Sequence, residues 1–494
     1  MRSLLDRRQF AIGATAIASG GFIGALAGNR LAQGQSLHFE RPLPIPRLIE
    51  AAQQGNEVKL RAASGRHAFV KDKPTTAYGF SAPVLGPVIR VRRGDEVEMA
   101  VENALGVDTT VHWHGLLVPG DVDGGPQQVI RPGSTWRPRL KIDQPASTAW
   151  LHPHPHHDTG RQVYMGLAAM IIVDDGSDAK LGLPLTYGID DLAIILQDRS
   201  FDTDGSLLYD LDPLTIQYGL RGNAIIANGV VAPFARVPGG LVRLRILNAA
   251  NAQNFDLRFS DRRAFHVIAS DAGFLAAPVA LKQLRISPAE RFEILVDFAS
   301  RKPVMLETGP DTAMGIFGAV SEAGTAEFVP IMRFEPTVAA ARVKEIPTRL
   351  VDPLAAEPDS AIRHREFLLD SGICGGQRPT DMGMLPGMCI NGKTHDPGRI
   401  DVETALGSME VWKIVSRGMA HPFHVHGASF RILSLSGKPP PAHLAGWKDV
   451  VLVEDEAELL VTFRRPAMRE HPFMYHCHIL EHEDAGMMGQ YVCA

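Results

Sequence analysis

The chain has 494 residues, 45% of them hydrophobic and 21% charged, which is ample for several buried cores. Its net charge of -5 and pI near 6.4 leave no basic footprint and exclude a nucleic-acid partner. The 47 Gly and 35 Pro suit a loop-rich β protein.

The first residues read as an export signal. Arg7 and Arg8, followed by Gln9 and Phe10, precede an apolar run from Ala11 to Ala27, where Ala25 and Ala27 form a small-x-small cleavage pattern. The paired arginines predict a twin-arginine signal peptide over residues 1–27, hence export by that machinery to the periplasm. Gly13, Gly20, Gly21 and Gly24 interrupt the run, each costing a helix roughly 1 kcal/mol against Ala, which argues against a membrane anchor. No other stretch is long and apolar enough to span a bilayer, so no stable membrane association is expected. Export makes disulfides possible. Cys374 and Cys389 either close a loop of ~15 residues or sit reduced beside Met382, Met384 and Met388 as soft ligands; Cys493 is left over.

The rest of the chain carries a faint internal repeat. Residues 87–115, 238–259 and 405–427 each read as a turn with Gly, an alternating strand, a break and a second strand. Period-two alternation in short runs bounded by Gly, Pro, Asn and Asp predicts an all-β sandwich fold. Three domains are expected, at 38–178, 185–336 and 363–494, joined near Asp174–Lys180 and through Glu335–Pro358. Helix is scarce; a turn or two is predicted at 275–285.

Histidines gather in four segments: His112-Trp113-His114; His152-Pro153-His154, followed by His156 and His157; His421, His424 and His426; and a last stretch holding His476, Cys477, His478, His482 and Met487. In the middle repeat the corresponding positions carry no histidine. An H-x-H pair on a strand puts two imidazoles on one face. Such a pair alone is weak evidence, but four pairs from two domains can meet only at the interface between them. Two histidines, one thiolate and a thioether are the ligand set of a blue-copper electron-transfer site. If Cys477 faces one metal, His476 and His478 face away toward another, so one tripeptide wires two centres together.

The segments HWHG, HPHPHH, HPFHVHG and HCHILEHEDAGMM resemble the ligand set of the three-domain multicopper oxidases. GPVIRVRRGDEV, VPGDVDGGPQ, TGRQVYMGLA, ASDAG, ERFEILVDF and KPPPAHLAGWKDVV resemble its bacterial periplasmic copper-efflux (cuprous oxidase) branch. The likeness covers nearly the whole mature chain. It implies three cupredoxin-like Greek-key β-sandwich domains, the middle one without ligands, and four copper ions. By that resemblance, His421, Cys477, His482 and Met487 match the type 1 ligands, with Met488 in the core. His112 and His424 match the type 2 ligands. His114, His152 and His478 match one type 3 copper; His154, His426 and His476 match the other. Glu483 and Asp123 match acids that deliver protons, and His156 and His157 have no ligand role. The implied reaction is four one-electron oxidations coupled to reduction of dioxygen to water by a monomeric enzyme.

The donor is expected to be Cu(I), in copper tolerance, with a small phenol as in laccases the alternative. Two departures bear on the choice. The stretch 370–392 is short and keeps only Met382, Met384 and Met388 of a methionine-rich insert. Near the third motif Met419 is kept, but Arg417 stands where the family has an acid, and a guanidinium repels a cation. Two rivals differ in kind. A cupredoxin-fold cell-division or scaffold protein resembles this fold but lacks the ligands. A copper nitrite reductase has two domains and no HCH wiring.

Overall fold

The computed structural model describes residues 37–314, 327–352, 362–380 and 383–494; the predicted signal peptide, Met382 and the side chain of Met384 lie outside this part. Six sheets fall into three stretches of chain. In the first, Leu48–Glu50, Val88–Arg92, Ala169–Asp174 and Ser147–Leu151 form a four-stranded sheet against one built on Glu57–Val70 and Glu96–Ala104. Strands between Asp191 and Ala340 make a seven-stranded and a six-stranded sheet, the latter edged by Arg41–Pro42 from the start of the chain. Strands from Arg363 to Cys493 make two five-stranded sheets. The architecture is all-β, as the period-two alternation predicts. In Glu96–Ala104, for instance, Val97, Met99 and Val101 are buried while Glu96 faces water.

One device recurs in each unit, which is what the sequence repeat encodes. Glu57–Val70 pairs in parallel with Glu96–Ala104, Asp191–Arg199 with Leu241–Asn248, and Arg363–Thr380 with Met409–Arg417. Each unit has an apolar core, and a fourth cluster, with Phe69, Trp150, Ile195 and Leu247, fills the seam between the first and second. Buried Arg245 strengthens that seam: it reaches Glu293 Oε1 and Asp191 Oδ1, each at 2.8 Å, and Thr148 Oγ1 at 3.2 Å. Residues 37–314 therefore behave as one packed body around the first histidine segments.

Two expectations are corrected. Residues 275–285 hold no helix: Gly273–Leu281 and Leu284–Ile286 are strands. Pro278 has no N–H to give a helix interior, and Gly273–Leu281 lies at a sheet edge, where a proline is tolerated. In the first repeat the second strand is reduced to isolated bridges, His112 pairing with His152 and Thr109 with Ile130. Among the sulfurs, Cys374 and Cys389 form a disulfide, and Met388 packs in the third unit's core beside Met487.

Candidate metal centre

The four histidine segments converge. Backbone bonds His112 N–H to His152 O (2.9 Å) and His152 N–H to His112 O (3.2 Å) set the first two side by side. In the third unit, strand His421–Val425 pairs with Phe473–Cys477, putting His424 opposite His476 and Phe423 opposite Cys477. Alternation then sends His424 and His476 to one face and Cys477 to the other. The rings of each H-x-H pair lie close: centroids are 5.5 Å apart for His112 and His114, 6.1 Å for His152 and His154, 5.0 Å for His424 and His426, and 5.4 Å for His476 and His478. Between the units, His112 stacks on His426 and His114 on His424, each pair at 3.7 Å.

Outer hydrogen bonds fix which nitrogen each ring turns inward. Nδ1–H of His112 donates to Asp123 O (3.0 Å), of His424 to Asp449 O (2.8 Å), of His152 to Pro153 O (2.8 Å) and of His476 to Cys477 O (3.0 Å). His426 Nδ1–H donates to Asp123 Oδ2 at 2.7 Å, and His154 Nδ1 lies 3.4 Å from Glu483 Oε1. Six rings thus present Nε2 to a common space. There His476 Nε2 stands 3.2 Å from His426 Nε2 and 3.4 Å from His154 Nε2. Neither atom of such a pair carries a proton, so they cannot bond each other. Metal–imidazole bonds of about 2.0–2.1 Å place two donors on one ion roughly 3 Å apart. Moreover, Nε2 of His112 and His424 and both nitrogens of His478 are buried without a hydrogen-bond partner. Such orphaned polar atoms are costly unless a cation takes up their free lone pairs, so these residues fit a metal cluster.

A second focus lies beyond Cys477. Its Sγ is 3.4 Å from His421 Nδ1 and 3.6 Å from His482 Nδ1, and these nitrogens are 3.2 Å apart. Ile479 N–H points at the sulfur from 3.4 Å. Met487 is wholly buried, and its carbonyl accepts Cys477 N–H at 3.1 Å. Met488 begins the next strand, opposite His476. His482 Nε2–H donates to Gln217 O (3.0 Å), on the helix Pro213–Tyr218 of the middle unit, whose capping box joins Asp212 and Thr215. That imidazole edge is therefore covered. Met419 is buried nearby in sequence, and Arg417 is exposed.

Burial sets the charge states. It pushes His114, His152, His424, His426 and His482 well below the usual imidazole range, His154 and His421 to about 4 and His478 to about 3. These rings are neutral at pH 7, as ligation requires. Burial raises the Cys477 thiol, so a bound cation would have to displace its proton. Burial alone would raise Glu483, but His154 and His476 outweigh it and hold its carboxyl well below the usual range. His156 and His157 are exposed; His157 Nδ1 bonds Asp484 O at 2.7 Å.

Two residues here had no assigned role in the sequence. Asp449 Oδ1 lies 3.2 Å from His114 Nε2, and Arg291 holds the same carboxylate from the middle unit. The signal was their place in two of the family-like segments, ERFEILVDF and KPPPAHLAGWKDVV, which gave neither a partner nor a role.

Sequence profiles described as multicopper oxidase match residues 62–178, 210–304 and 374–494. Among curated relatives, the cell division protein FtsP of Xenorhabdus nematophila is 35% identical over 99% of this chain and 98% of its own length. The multicopper oxidase mco of Staphylococcus haemolyticus is 34% identical over 90% and 91%. Among solved structures, a laccase-like multi-copper oxidase CueO from Ochrobactrum sp., described as active towards lignin model compounds and lignosulfonate, is 43% identical. It has a TM-score of 0.84 and covers 92% of this chain and 100% of that one. A laccase from Pediococcus acidilactici is 31% identical with a TM-score of 0.80, covering 93% and 95%.

Proposed function

The chain belongs to the multicopper oxidase family, a family that pairs dioxygen with a reducing substrate, and from that premise we propose that it holds four copper ions and oxidises Cu(I). The observation that carries this reading is the inward set of imidazole nitrogens between the outer units, several of them without a hydrogen-bond partner, joined to a thiol through one tripeptide. His421, Cys477, His482 and Met487 would hold type 1 copper. His112 and His424 would hold type 2, and His114, His152, His478 with His154, His426, His476 would hold the type 3 pair. When bound, copper supplies one-electron redox chemistry and the site where dioxygen is reduced.

The chain's own residues do the rest. Cys477 joins His476 and His478 covalently, so an electron entering at the thiolate has a short path to either side. Four electrons and four protons convert one dioxygen to two waters while four Cu(I) become Cu(II). Glu483 lies against His154 and His476, and Asp123 against His426; these two acids would relay those protons. Both carboxylates are buried, which shields the reacting site from bulk solvent.

Cu(I) is the donor favoured here because, among the described residues, His482 is buried and its Nε2–H is already given to Gln217, which covers the ring edge a phenol would otherwise approach. The phenol reading rests on the laccase-like relative at 43% identity. The FtsP relatives motivate a third reading, a scaffold in cell division. Export to the periplasm and copper tolerance are part of the proposal; no helix among the described residues is long and apolar enough to cross a membrane. The test is oxygen uptake by copper-loaded protein given Cu(I) or a methoxyphenol. Uptake with Cu(I) supports the first reading. Uptake with phenol alone overturns it, and a colourless protein that consumes no oxygen favours the scaffold.

A further inference from the structure

We propose that Arg291, from the middle unit that supplies no ligand, is a positioning residue of the type 2/type 3 site, acting through Asp449 on His114 and His424. This rests on the copper reading above. Arg291 is wholly buried and all its donors are taken. Nη1 and Nη2 each bond Asp449 at 2.6 Å, a bidentate fork that only a guanidinium makes. Nε donates to Thr148 O (2.8 Å), Nη1 also to Ala289 O (3.0 Å) and Nη2 to Asp271 O (3.1 Å). One side chain thus ties the first, second and third units together at the edge of the histidine cluster.

The clamp has a consequence for the rings. Asp449 Oδ1 accepts Nε2–H of His114 at 3.2 Å, and the Asp449 carbonyl accepts Nδ1–H of His424 at 2.8 Å. His114 is therefore the ring whose proton sits on Nε2 and whose inward nitrogen is Nδ1, 3.4 Å from His152 Nε2. Six others are turned the opposite way. Without a fixed carboxylate nothing holds His114 in that tautomer, and a carboxylate behind an imidazole also makes it a stronger donor. A second observation points the same way. Gly115, directly after His114, has φ +87°, and a Cβ there would collide with Arg291 Nη2 and lie 2.9 Å from Asp449 Oδ2. The HWHG turn is shaped around the guanidinium. Lys448, which lies 2.8 Å from Asp271 and 2.9 Å from Glu290, closes the network from behind.

The test uses full-length, copper-loaded protein. Arg291→Lys keeps the charge but loses the fork. The double variant Arg291→Gln/Asp449→Asn removes both buried charges together, so it leaves no unpaired ion to unfold the chain. Both are expected to keep the type 1 absorption band and a melting temperature near the parent's. Both should change the type 2 copper signal in electron paramagnetic resonance and lower oxygen uptake about tenfold, the double variant more. Parental type 2 spectra and uptake in both variants would overturn the proposal. So would a loss of type 1 and type 2 copper in step with melting temperature, which marks a structural role. A parent protein with no type 2 signal would instead remove the copper reading beneath it.

Discussion

At the scale of single residues, protons and copper compete for the same atoms. Glu483 sits between two imidazoles, 3.4 Å from His154 Nδ1 and 3.2 Å from His476 Nδ1. If it relays protons, Glu483→Gln slows oxygen uptake by ~100-fold, the lower end of general acid–base effects, while copper content and blue colour stay unchanged. Loss of copper in that variant would show that the carboxylate only orients the rings. The imidazoles make a second prediction. His154 and His421 are held at about 4 in the fold and return to 6.5 when unfolded, so below pH 6.5 the unfolded chain binds more protons. Each such ring takes roughly 2 kcal/mol of stability from the metal-free protein between pH 6.5 and 5. Buried Glu481 and Asp198, raised to about 7 and about 6, take up protons in the fold and offset part of this, but His114, His152, His424, His426, His478 and His482 are lowered as well, so stability must fall as pH drops. Urea unfolding of metal-free protein at pH 7 and pH 5 checks this; equal midpoints would contradict it.

At the scale of elements, the glycines that shape the motifs differ from those that only turn the chain. Gly124 has φ +85°, and a Cβ there would strike Val111 O, the residue before His112, and come within 2.9 Å of His112 Cα. Gly133 has φ +78° with open space around it. Gly133→Ala should cost only the left-handed backbone, about 1 kcal/mol, whereas Gly124→Ala should cost several and displace His112. Melting temperatures and copper content of both variants separate the two effects; equal losses would refute the distinction. The elements also mark how far the sequence could be read. Alternation announced the strands, and each H-x-H pair announced its own ring spacing. Residues 275–285 misled because alanines and leucines around Pro278 mimic a helix until the sheet edge is known. The HWHG segment misled because its strand is broken by the turn at Gly115.

At the scale of the molecule, the site exists only where the first and third units touch. Asp484 of the third unit accepts the N–H groups of Thr159 (2.9 Å) and Gly160 (2.8 Å), satisfying the start of the helix Thr159–Met165 in the first. Gln127 bonds Gln490 at 2.7 Å across the same seam, and Arg465 reaches Leu117 O at 2.6 Å. The histidines were legible because four local motifs carry them. Arg291 and Asp449 lie in two of the segments that carry the family resemblance, but their pairing was not legible, because they meet across 158 positions and no spacing links them. The measurement that tests the account most directly is anomalous diffraction at the copper edge from crystals of the copper-loaded chain. The account predicts four copper peaks, one among His421, Cys477 and His482 and three between the units, among His112, His114, His152, His154, His424, His426, His476 and His478. An interface without copper would contradict it.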